Sequence, residues 1–327
     1  MSNSEETKTP TKRRIVKIIG NILAILSVVF VLYRLVEMGG LESFSFTPDD
    51  LFWIVLFSAV YGLLILIYCL PWRGFVRVYT GARPPFLLSS YILSKSNIMK
   101  YIPGNIFQYV GRNELALRLN LSHSDVALAT VTDVMVSVAA VFGVGALFYG
   151  DSLRRVFSEY SAPITTAFLI LLAILIATAI LIIMNRRIQS YVRKIFSRNP
   201  GQTLRAISFS LLFYAVNILI NAGLFLLVLM TIIGMEMSPS RAAVIVGAYL
   251  LAWLAGFLVP GAPGGIGVRE AVFTLLLGSE AGLQGVLAGI VVYRVVTTVG
   301  DLFGFAFAKI IYSASNSIEK GKGEGVL

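Results

Sequence analysis

The stretch PGAPGGIGVREA, residues 260–271, sets two prolines and four glycines immediately before an adjacent arginine and glutamate. Glycine admits positive φ and close backbone approach, whereas proline breaks a helix and removes an N–H. Pro260, Gly261, Pro263, Gly264, Gly265 and Gly267 are therefore expected to form an irregular turn. A helix restarting near Gly267 would aim its N-terminal amides and positive dipole end at an anion. Arg269 adds a planar, bidentate donor suited to phosphate, with Glu270 beside it. The plain alternative is a surface turn in which both side chains are merely solvated.

A shorter stretch, YIPGNIFQYVGRNELAL, has the same ingredients: Pro103 and Gly104, the polar Asn105 and Gln108, then Arg112 and Glu114, with Lys95 and Lys100 just before. Three more charges interrupt apolar runs: Asp133, Arg294 and Asp301. Each costs at least a few kcal/mol in lipid unless paired or hydrated, which makes it a functional candidate. Arg294 and Asp301 lie seven residues apart, close to one helical face. Asp133 and Arg294 are expected to form an ion pair, which serves either a substrate or the rigidity of the bundle. Asn217 and Asn221 suit interhelical hydrogen bonds.

Several chemistries find no residues here. The glycine-rich stretch lacks the Lys-Ser/Thr ending of a phosphate-binding P-loop, and GIGVRE has glutamate where a dinucleotide fingerprint needs its third glycine. There is no Gly-x-Ser-x-Gly elbow. One cysteine, Cys69, and one histidine, His123, allow neither an internal disulfide nor a metal cluster. No cofactor is expected, and no catalytic constellation. The net charge of +10 lies in short clusters between apolar runs, which favours anionic lipid headgroups over nucleic acid.

The elements that must position these residues follow from composition. With 57% hydrophobic and 13% charged residues and a mean hydropathy of +0.82, the chain reads as a polytopic membrane protein. Clear spans are 15–36, 50–70, 125–149, 163–184, 206–233 and 283–312. The basic clusters Lys12–Lys17, Arg73/Arg77/Arg83 in a loop at 71–85, Arg186–Arg205 and Lys309–Lys322 place these loops and both termini in the cytoplasm. Segment 86–124 must then start and end inside, and 240–282 must start and end outside. Both are expected to be re-entrant hairpins, broken at Pro103-Gly104 and at the 260–267 turn. The expected fold is all-α: about six transmembrane helices plus two re-entrant hairpins, arranged as an inverted repeat. Residues 1–14 and 313–327 would be cytoplasmic tails. Residues 15–312 would form one membrane domain, with halves at about 15–150 and 163–312 and the site at their interface.

The two quoted stretches, with PGAPGGIGVREAVFTLLLGSEAGLQGVLAGIVVYRVV, resemble the lysylphosphatidylglycerol synthetase transmembrane-region family, also called flippase-like domain proteins. The motif positions are Gly261, Pro263, Gly264, Gly265, Gly267, Arg269 and Glu270, with Arg294 at a further recurrent arginine and Arg112 in the first hairpin. Thr132-Asp133 departs from the acidic-basic pair often found on the span after the first hairpin. The resemblance implies phospholipid or glycolipid translocation. It does not imply aminoacyl transfer, because no soluble synthase domain accompanies these segments.

The resulting expectation is a lipid flippase of the cytoplasmic membrane working by alternating access. An anionic phospholipid or lipid-linked sugar would place its headgroup between the hairpins. Two alternatives are an integral membrane transferase with Glu270 or Asp133 as base, and a non-transporting partner of a separate lipid-modifying enzyme.

Overall fold

A computed structural model describes residues 47–101, 107–116, 121–159, 200–258, 265, 267–277 and 283–324. Every regular element among them is helical: α1 (Pro48–Ile67), α2 (Cys69–Thr80), α3 (Phe86–Ile98), a 3-10 turn (Met99–Tyr101), α4 (Phe107–Ala116), α5 (His123–Glu159), α6 (Pro200–Thr231), α7 (Pro239–Leu258), α8 (Val268–Leu277) and α9 (Leu283–Glu324). The expected spans 15–36 and 163–184, and the turn residues Pro103, Gly104, Asn105, Pro260, Gly261, Pro263 and Gly264, lie outside the described residues.

Local chemistry sets the helix starts. Thr47 caps α1 with a capping box: its hydroxyl accepts from the Asp50 N–H at 3.3 Å and the Asp50 carboxylate accepts from the Thr47 N–H at 2.8 Å. Pro48 fills the first helical position, where an N–H would have no partner. Ser238 and Pro239 repeat the device on α7, where the Ser238 hydroxyl accepts from the Arg241 N–H at 3.3 Å. Ser122 caps α5 by accepting from the Asp125 N–H at 3.2 Å.

Five helical stretches are long and apolar enough to cross a membrane: 48–80, 123–150, 200–231, 239–258 and 284–315. Their outward faces carry large apolar side chains such as Phe52, Leu147 and Leu212, the last two 80% and 66% exposed. Two features differ from the sequence reading. Arg73 and Arg77 lie on α2, a helix held to α5 by the Trp72 Nε1 donation to Thr130 Oγ1 at 3.1 Å, and not in a loop. The apolar run over 71–80 is interrupted by charge, yet burial of Trp72, Phe75 and Val76 keeps it helical. Of the two helices described in 240–282, α7 has 20 residues and so is about 30 Å long, a membrane length, whereas α8 has 10.

The helices pack in a crossed pattern. α9 runs along α1 and α3, and α5 runs along α6 and α7. The two arms of each hairpin, α3 with α4 and α7 with α8, also contact each other. The α1/α9 seam is closest. A Cβ built on Gly62 would lie 2.9 Å from the Gly300 carbonyl oxygen, and one on Gly304 would lie 2.9 Å from that of Gly62. Only glycine lets these two backbones approach so far. Between the seams lies a core of Phe225, Tyr293, Phe273, Leu229 and Ile245, contributed by α6, α9, α8 and α7.

Candidate functional site

Beside this core, the short arms α4 and α8 and the turn before α4 meet α1, α5, α6, α7 and α9 around one cavity of about 280 Å3. Its wall holds four cationic side chains, Lys100, Arg112, Arg269 and Arg294. It also holds Tyr61, Tyr68, Tyr101, Tyr109, Tyr214, Tyr249 and Tyr293, together with Asn97, Gln108, Asn217 and Asn221. Polar groups at this depth need partners, and most have them.

Three of the cations are neutralised by buried carboxylates. Arg112, on α4, reaches Asp133 of α5 at 3.1 Å, and Tyr214 of α6 donates to the other Asp133 oxygen at 2.5 Å. Arg294, on α9, reaches Glu270 of α8 at 2.7 Å. Lys100, in the turn after α3, reaches Asp301 of α9 at 2.6 Å, while Asn97 and Tyr101 donate to that carboxylate at 2.7 and 2.5 Å. Asp301 is fully buried, so the Lys100 ammonium and two neutral donors replace its lost hydration.

Arg269 differs. Among the described residues no carboxylate comes within ion-pair range of it, and its buried Nε has no hydrogen-bond partner. Its guanidinium sits over the Trp253 ring, 5.4 Å from the centroid, a cation–π contact from α7. Two glycines make the slot for its stem. A Cβ on Gly256 would fall 2.5 Å from Arg269 Cγ, and one on Gly265 would fall 2.7 Å from Arg269 Nε. Gly265 also has φ +74°, a left-handed conformation that other residues adopt at a cost. The glycines of the motif thus serve the arginine as well as the turn.

The expected Asp133–Arg294 pair does not form. Asp133 faces α4 and α6 and takes Arg112, whereas Arg294 faces α8 and takes Glu270. Each side chain is turned toward a different short helix, Asp133 toward α4 and Arg294 toward α8, and so not toward the other. The helix restart at Gly267 also differs from the reading as an open anion site. The Glu270 carboxylate itself accepts from the Gly267 N–H at 2.8 Å, so the chain's own side chain caps α8. Arg294 brackets the same turn through the Gly265 carbonyl at 3.5 Å.

Of the other sequence candidates, Gln108 lines the cavity. Lys95 and Glu114 do not: Lys95 lies over the Tyr91 ring at 5.7 Å, and Glu114 is exposed. Asn217 and Asn221 do bond between helices, through Tyr68 Oη donating to Asn217 Oδ1 at 2.8 Å and Tyr293 Oη donating to the Asn221 carbonyl at 2.9 Å. His123 is exposed at the start of α5, where its Nδ1 meets Asn113 Oδ1 at 3.0 Å. Sequence reasoning missed Gly256, Trp253 and the tyrosines. The signal available was the aromatic content of spans already assigned to lipid, which does not reveal which ring faces inward.

A bundle of membrane-length apolar helices that encloses a charged, tyrosine-rich cavity is a multi-pass membrane protein. Its sequence matches the family described as the lysylphosphatidylglycerol synthase TM region over residues 18–304, and the chain belongs to that family. The resemblance seen in the motif residues therefore extends over most of the chain, and it makes this a membrane protein of lipid-related function. No curated protein and no solved structure matches it.

Proposed function

We propose that the protein is a lipid flippase that carries an anionic headgroup, of a phospholipid or a lipid-linked glycan, through the 280 Å3 cavity while the tail stays in lipid. The observation that carries this reading is Arg269: a buried cation with no carboxylate partner among the described residues, at the wall of the polar chamber of an otherwise apolar bundle. A charge held in that way is stabilised when an anion arrives, and a lipid headgroup is the anion that a membrane supplies in quantity.

Element order supports an inverted repeat. α1–α2, the α3/α4 hairpin and α5 are followed by α6, the α7/α8 hairpin and α9 in the same sequence of roles. The contacts exchange between the halves, since the last helix of each runs along the first helix and the descending arm of the other. On this reading the hairpins are re-entrant, both termini lie in the cytoplasm, and rocking of one half on the other exposes the cavity alternately. Carriage fits better than covalent catalysis, because among the described residues each carboxylate around the cavity is engaged by a cation.

The reading is tested by reconstituting the protein in liposomes with fluorescent phosphatidylglycerol. The wild type should transfer label between leaflets well above protein-free vesicles, and Arg269→Ala should return the rate toward theirs. Equal rates with and without wild-type protein would sink the proposal.

A further inference from the structure

We propose that Asp301 binds the proton that drives translocation: Lys100 leaves the Asp301 carboxylate for the incoming headgroup, and a proton takes its place. The inference rests on the flippase reading and gives that reading an energy source. Among the described residues three carboxylates are paired around the cavity, and the geometry singles out one. Asp301 is fully buried and lies one side chain behind the wall, because Asn97, Lys100, Tyr101 and Thr298 line the cavity while Asp301 does not. Its cation is a lysine in the turn after α3 with a side chain 23% exposed, whereas Asp133 and Glu270 hold arginines that are 12% and 13% exposed. A lysine carries a compact charge on a flexible stem, so it can turn from one anion to another where an arginine fork is bound by its geometry.

The hydrogen bonds around Asp301 suit both of its states. Lys100 reaches Oδ2 at 2.6 Å, Asn97 donates to Oδ1 at 2.7 Å and Tyr101 Oη donates to Oδ2 at 2.5 Å. Tyr101 Oη also has Thr298 Oγ1 at 3.2 Å, yet a phenol has a single hydrogen to donate. When Lys100 departs, a proton from water entering the cavity forms an O–H bond at Oδ2. That hydroxyl donates to Tyr101 Oη, and the tyrosine hydrogen turns to Thr298. Asn97 keeps its acceptor, Oδ1, throughout. Lys100 carries its ammonium charge to the phosphate, so neither group is left as an uncompensated charge inside the bundle. The reverse exchange, on the other side of the membrane, returns the proton to water and Lys100 to Asp301. The other two carboxylates lack this second arrangement among the described residues: Tyr214 donates to Asp133 alone, and the donor facing Glu270 is the fixed Gly267 N–H. Among the described residues, the titratable and charged groups facing Asp301 are Lys100 and Tyr101, with Tyr61 of α1 and Tyr68 at its end. Arg269 of α8 faces Tyr101, and Arg294, seven residues earlier on α9, is held by Glu270.

The experiment measures the protons taken up when phosphatidylglycerol binds the purified protein in weakly buffered neutral detergent, read with a pH-indicator dye; the phosphodiester of this lipid has no second proton to exchange. The wild type should take up about one proton per lipid, and its affinity should fall by about tenfold per pH unit above neutrality, because a ligand that draws in a proton is itself favoured by that proton. Asp301→Asn should remove the uptake and flatten the pH dependence, while Asp133→Asn should keep both. Should Asp301→Asn fail to fold, Lys100→Met, which strips Asp301 of its cation beforehand, should show the same loss of uptake. In parallel, liposomes under an imposed pH gradient are scored for transfer of the fluorescent lipid, which should run toward the alkaline side. Binding without proton uptake in the wild type, or transfer indifferent to the pH gradient, would overturn the inference and leave the flippase reading intact. Transfer driven by a sodium gradient in its place would overturn the proton as the ion bound. Proton uptake in detergent with no transfer in liposomes would overturn the flippase reading alone and uphold Asp301 as the proton site. Phosphatidylglycerol that does not bind would overturn both.

Discussion

Gly256→Ala should weaken anion binding without removing a polar group. The new Cβ would lie 2.5 Å from Arg269 Cγ, 3.0 Å from its Nε and 3.2 Å from Gly265 Cα. Ordinary carbon contacts begin near 3.5 Å, so the arginine stem must retreat by about 1 Å or swing out of its slot. The new methyl cannot turn aside either, because Gly265 Cα lies beside it. The arginine therefore leaves, and its guanidinium loses both the Trp253 face and its place in the cavity wall. Holding the side chain in place instead would cost about 1–3 kcal/mol of overpacking. A lost hydrogen bond to a charged group is worth about 1.5–3 kcal/mol. At 1.4 kcal/mol per decade, phosphatidylglycerol affinity should fall by about ten- to a hundredfold. The assay is displacement of the fluorescent lipid, with Gly223→Ala as control, since nothing lies within 4 Å of a Cβ built there. If Gly256→Ala binds within twofold of wild type while Arg269→Gln loses the lipid, the slot does not position the arginine.

Two stability predictions follow from the seams. Gly300→Ala puts a Cβ 2.8 Å from the Ser58 carbonyl oxygen and 2.6 Å from Tyr61 Cδ1, so the α1/α9 pair must separate and the unfolding midpoint should drop by several degrees; in Gly223→Ala it should hold or rise, since alanine gains up to about 1 kcal/mol over glycine in a helix. An unchanged midpoint for Gly300→Ala would refute the close approach. Asp301→Ala strands Lys100, takes from Asn97 its carboxylate acceptor and leaves Tyr101 only Thr298, at a cost of about 3–5 kcal/mol, whereas Lys100→Met combined with Asp301→Leu should recover much of it in thermal denaturation. Additive losses in the double variant would show that the two residues do not act as a pair.

Much of the helical plan is readable from local signals. TPDD and SPSR announce the starts of α1 and α7 because a hydroxyl, a proline and the following N–H groups are all that a cap requires. The apolar runs at 125–149 and 283–312 fall within helices, while the run at 50–70 is broken at Tyr68 and the helix through 206–233 ends at Thr231. The residues able to hold charge in the cavity are also visible, because Asp133, Arg294 and Asp301 interrupt apolar sequence and Arg112 and Arg269 follow the broken turns. Their partners are not. Pairing depends on which way each helix is rotated about its axis, and the runs flanking these charges are apolar on every side, so no stripe marks the inner face. Lys100 finds Asp301 and Arg112 finds Asp133 only once α3 lies on α9 and α5 beside α4. Gly256 is silent for the same reason: LAGFL is an ordinary membrane helix until Arg269 is laid across it.

The pairings give the cavity a consequence that a roll of charged residues would miss. Each of the three ion pairs ties a short arm or its turn to a long helix: Arg112 of α4 to α5, Glu270 of α8 to α9, and Lys100 after α3 to α9. On the inverted-repeat reading two of these bonds stay within a half, and the Lys100–Asp301 bond crosses between halves. If the halves rock, the two internal pairs travel as rigid units, and only the third must stretch or break. Arg269, held in its glycine slot on α8 without a carboxylate partner among the described residues, travels with the second half. An anion at Arg269 then meets two fixed dipolar pairs and one breakable latch, and the Lys100–Asp301 contact becomes the place where movement is resisted. Weakening it without removing charge, as in Asn97→Ala or Tyr101→Phe, should speed translocation relative to binding, whereas the same changes at Tyr214 beside Asp133 should not.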